Sequence, residues 1–296
     1  MRSYVLRQET CTSRMTRSGR LRFVALAATV LSSPTVVHAA SLGENMDAAV
    51  VTDTSMDQVQ PGRIDRAFAL LHDWNVVVGA AALMLPEYEG SDKFKVMPFP
   101  LVSASFGERV FLDPTGLRLD LYQDGGLRVG LKGGYDIGRQ EGDSDYLKGL
   151  GDIDAGGILG GVVSYESGPF KVYAEVDKTI GGSDGLTGTL GAAASHRYEQ
   201  FIFSADVSAT MADDKYMAAY YGVNAIQSGR SGLAEYDAKG GLKRTDLKVS
   251  VTYMVNENWS VTGAAGAGLL MGDAKDSPIV KDDIQPFAML GLAYRF

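Results

Sequence analysis

The chain has 296 residues, 45% of them hydrophobic and 22% charged, with a formal net charge of −8. That acidic balance argues against nucleic acid as a partner, because phosphates call for a basic surface. A helical membrane protein is also excluded, since a spanning helix takes ~18 consecutive apolar residues and the nearest run, Val76–Leu85, stops at ten.

The first segment reads as an export signal. Arg14, Arg17, Arg20 and Arg22 form a basic region, Phe23–Leu31 an apolar core, and Val37-His38-Ala39-Ala40 a small-residue cleavage site. Residues 1–39 are therefore expected to be removed. Six Arg and one Glu go with them, leaving 22 basic and 35 acidic residues and a net charge of −13. The single cysteine, Cys11, lies ahead of the apolar core, so the mature chain has no thiol, no disulfide and no Cys-ligated metal. In an oxidising compartment its stability must come from closure or packing.

Residues 40–72 are expected to form a polar, acidic periplasmic leader. Ile64, Phe68 and Leu71 recur there at helical spacing, which predicts a short helix. From residue 73 to the end the pattern is that of strands. Asp73–Leu85 is long enough to cross a bilayer as a tilted strand of about 9–11 residues. Val96–Tyr122 is either one bent strand with a bulge or two strands with a small inner hairpin.

Clean alternation follows. Leu117, Leu119 and Leu121 face one way, with Arg118, Asp120 and Tyr122 opposite. After the turn Gln123–Gly126, Leu127, Val129 and Leu131 oppose Arg128, Gly130 and Lys132. Phe170, Val172, Ala174 and Val176 oppose Lys171, Tyr173, Glu175 and Asp177; Leu247, Val249, Val251 and Tyr253 oppose Asp246, Lys248, Ser250 and Thr252. In the last strand Ala288, Leu290, Leu292, Tyr294 and Phe296 share a face, with Phe287 the one bulky residue on the other.

The strands are about ten residues long, against ~5–6 in an ordinary sandwich, and they carry charge on the non-apolar face. Short turns alternate with the long loops Gly138–Gly151, Ala212–Gly241 and Gly272–Asp283, as at the two rims of an outer-membrane barrel. Trp74, Trp259, Tyr253, Tyr294 and Phe296 sit near strand ends, where aromatic girdles belong. Glycine, at about 12% against a usual ~7%, suits tight turns and close packing. The reading is all-β: a transmembrane antiparallel up-and-down barrel of about ten to twelve strands, closed by the strand that ends in Phe296. Twelve would require Ser103–Asp113 and Leu233–Gly240 to contribute strands.

Little in the chain carries chemistry. Ser195 and His196 are adjacent and point to opposite faces of one strand, so with Asp206 they make a poor triad. The acidic loops at Asp143, Asp145, Asp152 and Asp154, and at Asp273, Asp276, Asp282 and Asp283, lack the spacing of a calcium loop. No catalytic residue, metal ligand or cofactor site is expected. Arg118, Lys132, Lys171, Glu175 and Asp177 are expected to line the lumen, and Tyr216, Met217, Tyr220 and Tyr221 to form a plug, lid or recognition surface.

Several segments, in order, resemble the MipA/OmpV family of outer-membrane proteins. They are Pro86-x-Tyr88-x-Gly90-Ser91-Asp92, Gly149–Asp154, Tyr216-Met217 with Tyr220–Val223, Tyr236-x-Ala238-x-Gly240-Gly241, and Gly272-Asp273 with Ser277–Val280, together with the terminal Phe296. The resemblance implies an integral outer-membrane barrel surrounded by lipid and lipopolysaccharide. It also implies, as in MltA-interacting protein, a non-enzymatic scaffold linking a lytic murein transglycosylase to a murein synthase. Other members look like general outer-membrane, adhesion or immunogenic proteins, so a surface adhesin is one alternative. The residues themselves leave a narrow solute channel as another.

Overall fold

The computed structural model describes residues 74–296. The expected export signal and the 40–72 leader with its short helix lie outside the described residues. Twelve strands run through the rest: β1 (Trp74–Pro86), β2 (Phe94–Phe106), β3 (Val110–Asp113), β4 (Gly116–Asp124), β5 (Leu127–Asp136), β6 (Gly156–Ser167), β7 (Phe170–Ile180), β8 (Leu186–Tyr198), β9 (Phe201–Ala212), β10 (Gly241–Met254), β11 (Trp259–Leu270) and β12 (Ile284–Arg295). Each pairs antiparallel with its chain neighbour, and β1 pairs with β12, so the sheet closes on itself and leaves no terminal edge strand. At the seam Val78 faces Tyr294, and the Phe296 amide donates to the Val76 carbonyl at 3.0 Å.

Side-chain alternation explains why this sequence closes into a barrel rather than a sandwich. On β10, Leu247, Val249, Val251 and Tyr253 are exposed while Asp246, Lys248, Ser250 and Thr252 are buried. A soluble sheet would reverse that order. With apolar side chains on the outside of nearly every strand, the outer surface is a lipid-facing band and the interior is polar, the arrangement of a transmembrane β-barrel. Aromatic pairs gather at the short-turn rim, with ring centroids at 4.8 Å for Trp74–Phe106 and 5.0 Å for both Trp259–Tyr294 and Phe201–Tyr253. Short turns place that rim in the periplasm. One of them, Gly125-Gly126, has both residues at positive φ, as a two-residue hairpin turn requires.

The structure changes three details of the sequence reading. The ambiguous Val96–Tyr122 region is three strands, because Gly107–Arg109 and Pro114-Thr115 both reverse the chain. Leu233–Gly240 contributes none; Tyr236 makes only an isolated bridge to Val223. And Tyr122 does not share a face with Arg118 and Asp120. Asp120 pairs with Gly130 and Tyr122 with Val129, so Leu121 is an extra residue in a bulge and Tyr122 swings outward beside it.

The interior has two characters. Inside β1, β2 and β12 it is apolar: Leu83, Leu85, Leu101, Phe287 and Met289 pack together, with Met97 and Phe99 against them. Phe287 lies over Gly266, where any Cβ would sit 2.5 Å from the ring. Gly266 is thus a close-packing position within β11, and Gly268 leaves the same kind of room for the Arg244 guanidinium. The remaining wall, from β4 to β10, carries the charges.

Candidate functional site

Three regions hold polar chemistry: the lumen wall, the outer mouth and the periplasmic rim. Along the wall, charged groups meet within a strand, between neighbours or across an intervening strand. Arg118 Nε lies 3.1 Å from Asp120 and its guanidinium 4.4 Å above the Phe111 ring. Lys132 bridges Glu175 and Asp177, the latter at 3.1 Å. The Lys171 ammonium sits 5.8 Å from the centre of the Tyr173 ring, whose hydroxyl donates to Asp206 at 3.0 Å. Lys248 reaches the same Asp206 at 3.4 Å. The five lumen candidates thus form a belt on β4, β5 and β7, in which Arg118 pairs within β4, Lys132 pairs with Glu175 and Asp177 across β6, and Lys171 lies against Tyr173. Such a belt ties strands together and narrows the bore.

The outer mouth is covered. Between β9 and β10 the chain forms two helices, α1 (Asp214–Tyr221) and α2 (Ala225–Ser231); a short helix, α3 (Gly272–Lys275), precedes β12. Asp213 caps α1 by accepting from the Tyr216 amide at 2.9 Å, and Asn224 caps α2 through the Ile226 and Gln227 amides. Tyr216, Met217, Tyr220 and Tyr221 are all buried. Their contacts reach far-separated parts of the ring. The Tyr220 hydroxyl donates to Asp136 at the end of β5, and Tyr221 to Glu89 in the β1–β2 loop at 2.6 Å. Ser277, before β12, donates to the Tyr221 carbonyl, and Arg139, after β5, to that of Tyr220. A helix joined to β5, β10 and both loops beside the seam lies across the mouth.

At the centre of this cap, Glu89 meets Arg244 at 3.0 Å and Lys243 at 3.4 Å; Lys243 is 0% exposed. Arg244 also binds Asp246 at 2.6 Å. Burial alone would raise the Glu89 carboxyl, but Lys243 and Arg244, with the Tyr221 hydroxyl, hold it below the usual carboxylate range. Burial pushes the phenols of Tyr216 and Tyr221 well up, and the nearby Glu89 charge adds to this, so they remain neutral donors.

The cap ion cluster was not foreseen from sequence, although its position was signalled. Glu89 falls inside Pro86–Asp92, and five of the six family-like segments converge here. Tyr88 donates to the Ile279 carbonyl, the Gly90 amide donates to Gln285, Gln227 donates to the Leu150 carbonyl, and Val223 bridges Tyr236. Only Phe296 lies elsewhere.

The remaining candidates do not assemble into a reactive site. Ser195 faces inward and is bonded to Ser204 at 3.1 Å, Asp206 faces inward, and His196 points outward. Loop carboxylates act as local acceptors: Asp143 for the Gln140 amide, Asp152 for that of Glu141, Asp273 for that of Lys239. Among the described residues no group of three His, Cys, Asp or Glu side chains is placed to hold a metal ion.

Among the described residues the periplasmic rim is open. A cleft of about 280 Å³ there is lined by Glu108, Arg109, Asp124, Arg128 and Glu166. No salt bridge joins these five side chains to one another. The two ends of the barrel therefore differ: one is covered by internally paired groups, the other offers charges of both signs to solvent.

Solved structures similar in architecture include the NanC porin (8% identity, 75% of this chain and 100% of that one, TM-score 0.41) and the KdgM porin (9%, 74% and 99%, 0.39). The COG4313 outer membrane channel from Pseudomonas putida F1 is another (13%, 75% and 94%, 0.38). None of these TM-scores reaches one half, and the barrel assignment rests on the strand pairing above. No curated protein matches the sequence. The family model for "MltA-interacting protein MipA" matches residues 78–296, a span that takes in the seam, the lumen belt and every segment of the cap, and the chain belongs to that family.

Proposed function

We propose that this outer-membrane barrel is a non-enzymatic docking protein that holds murein-processing enzymes at the inner face of the membrane. The observation that supports it is the contrast between the two rims. The outer mouth is covered by a helix whose polar groups bond within the barrel, which disfavours a constitutively open pore. The periplasmic rim carries Arg109, Arg128, Glu108, Asp124 and Glu166 around one cleft, the side from which a murein enzyme would approach. Charges at such a rim act mainly on encounter rate and partner choice. The family description, which names an interaction with MltA, a lytic murein transglycosylase, gives the partner class.

The test is capture of detergent-solubilised envelope proteins on the immobilised barrel. A lytic transglycosylase or murein synthase should be retained, and the double variant Arg109→Glu/Arg128→Glu should lose most of it at moderate salt. Failure to retain either enzyme, with steady single-channel conductance in the same preparation, would favour a channel. The polar, charged inner wall, with Arg118, Lys132, Glu175 and Asp177 turned away from the lipid, is the feature that supports that second reading.

A further inference from the structure

We propose that the segment before β1 folds back into the lumen and seats its apolar residues Ile64, Phe68 and Leu71 on the inner wall at the β1–β12 seam. Burial of that wall is the observation that points there. Val77, Ala81, Leu101 and Ala293 turn inward from β1, β2 and β12, and each is only 5–6% exposed. Val77 stands three residues after Trp74, near the periplasmic end of the bore. The cap does not reach that depth. Its helix α1 bonds to Glu89, Asp136, Arg139 and Ser277, at the outer ends of strands or in outer loops.

Nor can the wall cover itself. Twelve strands spaced ~4.8 Å apart and tilted ~40° make a ring about 24 Å across its backbone. Alanine and valine side chains span little of that width, and neighbours on the same sheet shield only their flanks. Among the described residues Val77 and Ala293 form a buried cluster of two. An element must stand against them from the bore, and a helix with its side chains, about 10–12 Å thick, has the right bulk. Exposure also differs around the ring. Across from the seam, Lys132, Glu175 and Asp177 keep 19–26% of their side-chain surface. The occupant therefore lies toward the seam and leaves the belt partly wet.

This chain's own leader fits that place in entry point, reach and pattern. Trp74 opens β1 at the foot of the same wall, so the residues just before it start there. Arg63–His72 as a helix would rise ~15 Å, enough to run past Val77 and Ala293 toward Ala81. Ile64, Phe68 and Leu71 recur at i, i+4 and i+7 and offer bulk to a wall of short side chains. Asp65 and Arg66 fall on the far face, toward Lys132, Glu175 and Asp177. The short tether His72-Asp73 keeps the segment at about millimolar effective concentration.

The test is disulfide formation in the mature chain, folded in detergent. No cysteine remains after the expected cleavage, so introduced thiols are read without background. Ile64→Cys is paired with the inward Ala81→Cys or with the exposed Ala82→Cys beside it; Phe68→Cys is paired with the inward Ala293→Cys or the exposed Leu292→Cys. We expect intramolecular disulfides with the inward partners and at least tenfold fewer with the outward ones. Failure of both inward pairs, or equal yields on the two faces, would overturn the proposal. Disulfides that join two chains would give the wall to a second copy and overturn it as well. A second readout does not depend on disulfide geometry. Phe68→Asp/Leu71→Asp should raise the labelling rate of Ala293→Cys by a water-soluble maleimide about tenfold, with the heat-modifiable migration of a folded barrel unchanged. An unchanged rate would assign the cover to something other than the leader.

Discussion

Glu89 shows how much of the cap depends on one side chain. It is the shared acceptor for Lys243, Arg244 and Tyr221, all buried. Removing one partner of a buried pair costs about 3–5 kcal/mol, because the other charge remains without compensation. Glu89→Gln should therefore speed amide exchange through Asp214–Tyr221 by about a hundredfold or more, since every 1.4 kcal/mol is a factor of ten, while the strand ladders keep their protection. The pH dependence follows from the lowered carboxyl. Above the ordinary value of 4.5 the group is ionised whether the cap is formed or not, and its contribution is complete. As pH falls below 4.5 and through the lower value held in the folded cap, that contribution is lost. Exchange in α1 should be flat from pH 7 to 5 and accelerate in stronger acid. The Gln variant should not show that acid step; a step of equal size in both would assign it to another group.

Elements differ in how clearly the sequence announces them. β7, β9 and β10 are legible because each is long, regular and apolar on one face, so period two fixes both strand and orientation. Leu121 breaks that logic: a bulge adds one residue, and alternation beyond it inverts without any special residue type to mark it. β1, β2 and β12 hide the lumen's apolar side for a related reason, since strands apolar on both faces carry no orientation signal. The lumen candidates Arg118, Lys132, Lys171, Glu175 and Asp177 could be named from the pattern, but their pairing needed the register. α1 was obscured by its lack of a regular apolar stripe; its tyrosines are buried by the barrel mouth and the surrounding loops. The helix also depends on its N-terminal cap. Asp213→Ala should cost about 1 kcal/mol, read as roughly fivefold faster exchange in α1 with no change in α2, which has its own cap at Asn224. Equal loosening of both helices would mean that the cap opens only as a unit.

The whole molecule sets a covered mouth over a bore whose width is not self-evident. Eight strands leave an interior filled by side chains, and sixteen or more leave an aqueous channel. Twelve strands fall between, so closure here depends on what stands in the lumen and over it. The cap can be removed without disturbing the wall, because Ala212 and Gly241 face each other across the β9–β10 ladder. Replacing residues 213–240 by an Asn-Gly turn, which suits a two-residue hairpin, should leave strand content and heat-modifiable migration intact. In a planar bilayer the intact protein should pass little current and the excised one a steady current at least several-fold larger. Equal and sizeable conductance in both would show that α1 does not obstruct the path, and would count against docking as the main role. Silence in both would place the barrier in the belt around Lys132, Glu175 and Asp177. Lys132→Ser in the excised background would then be expected to open it, since that one ammonium holds both carboxylates across the wall.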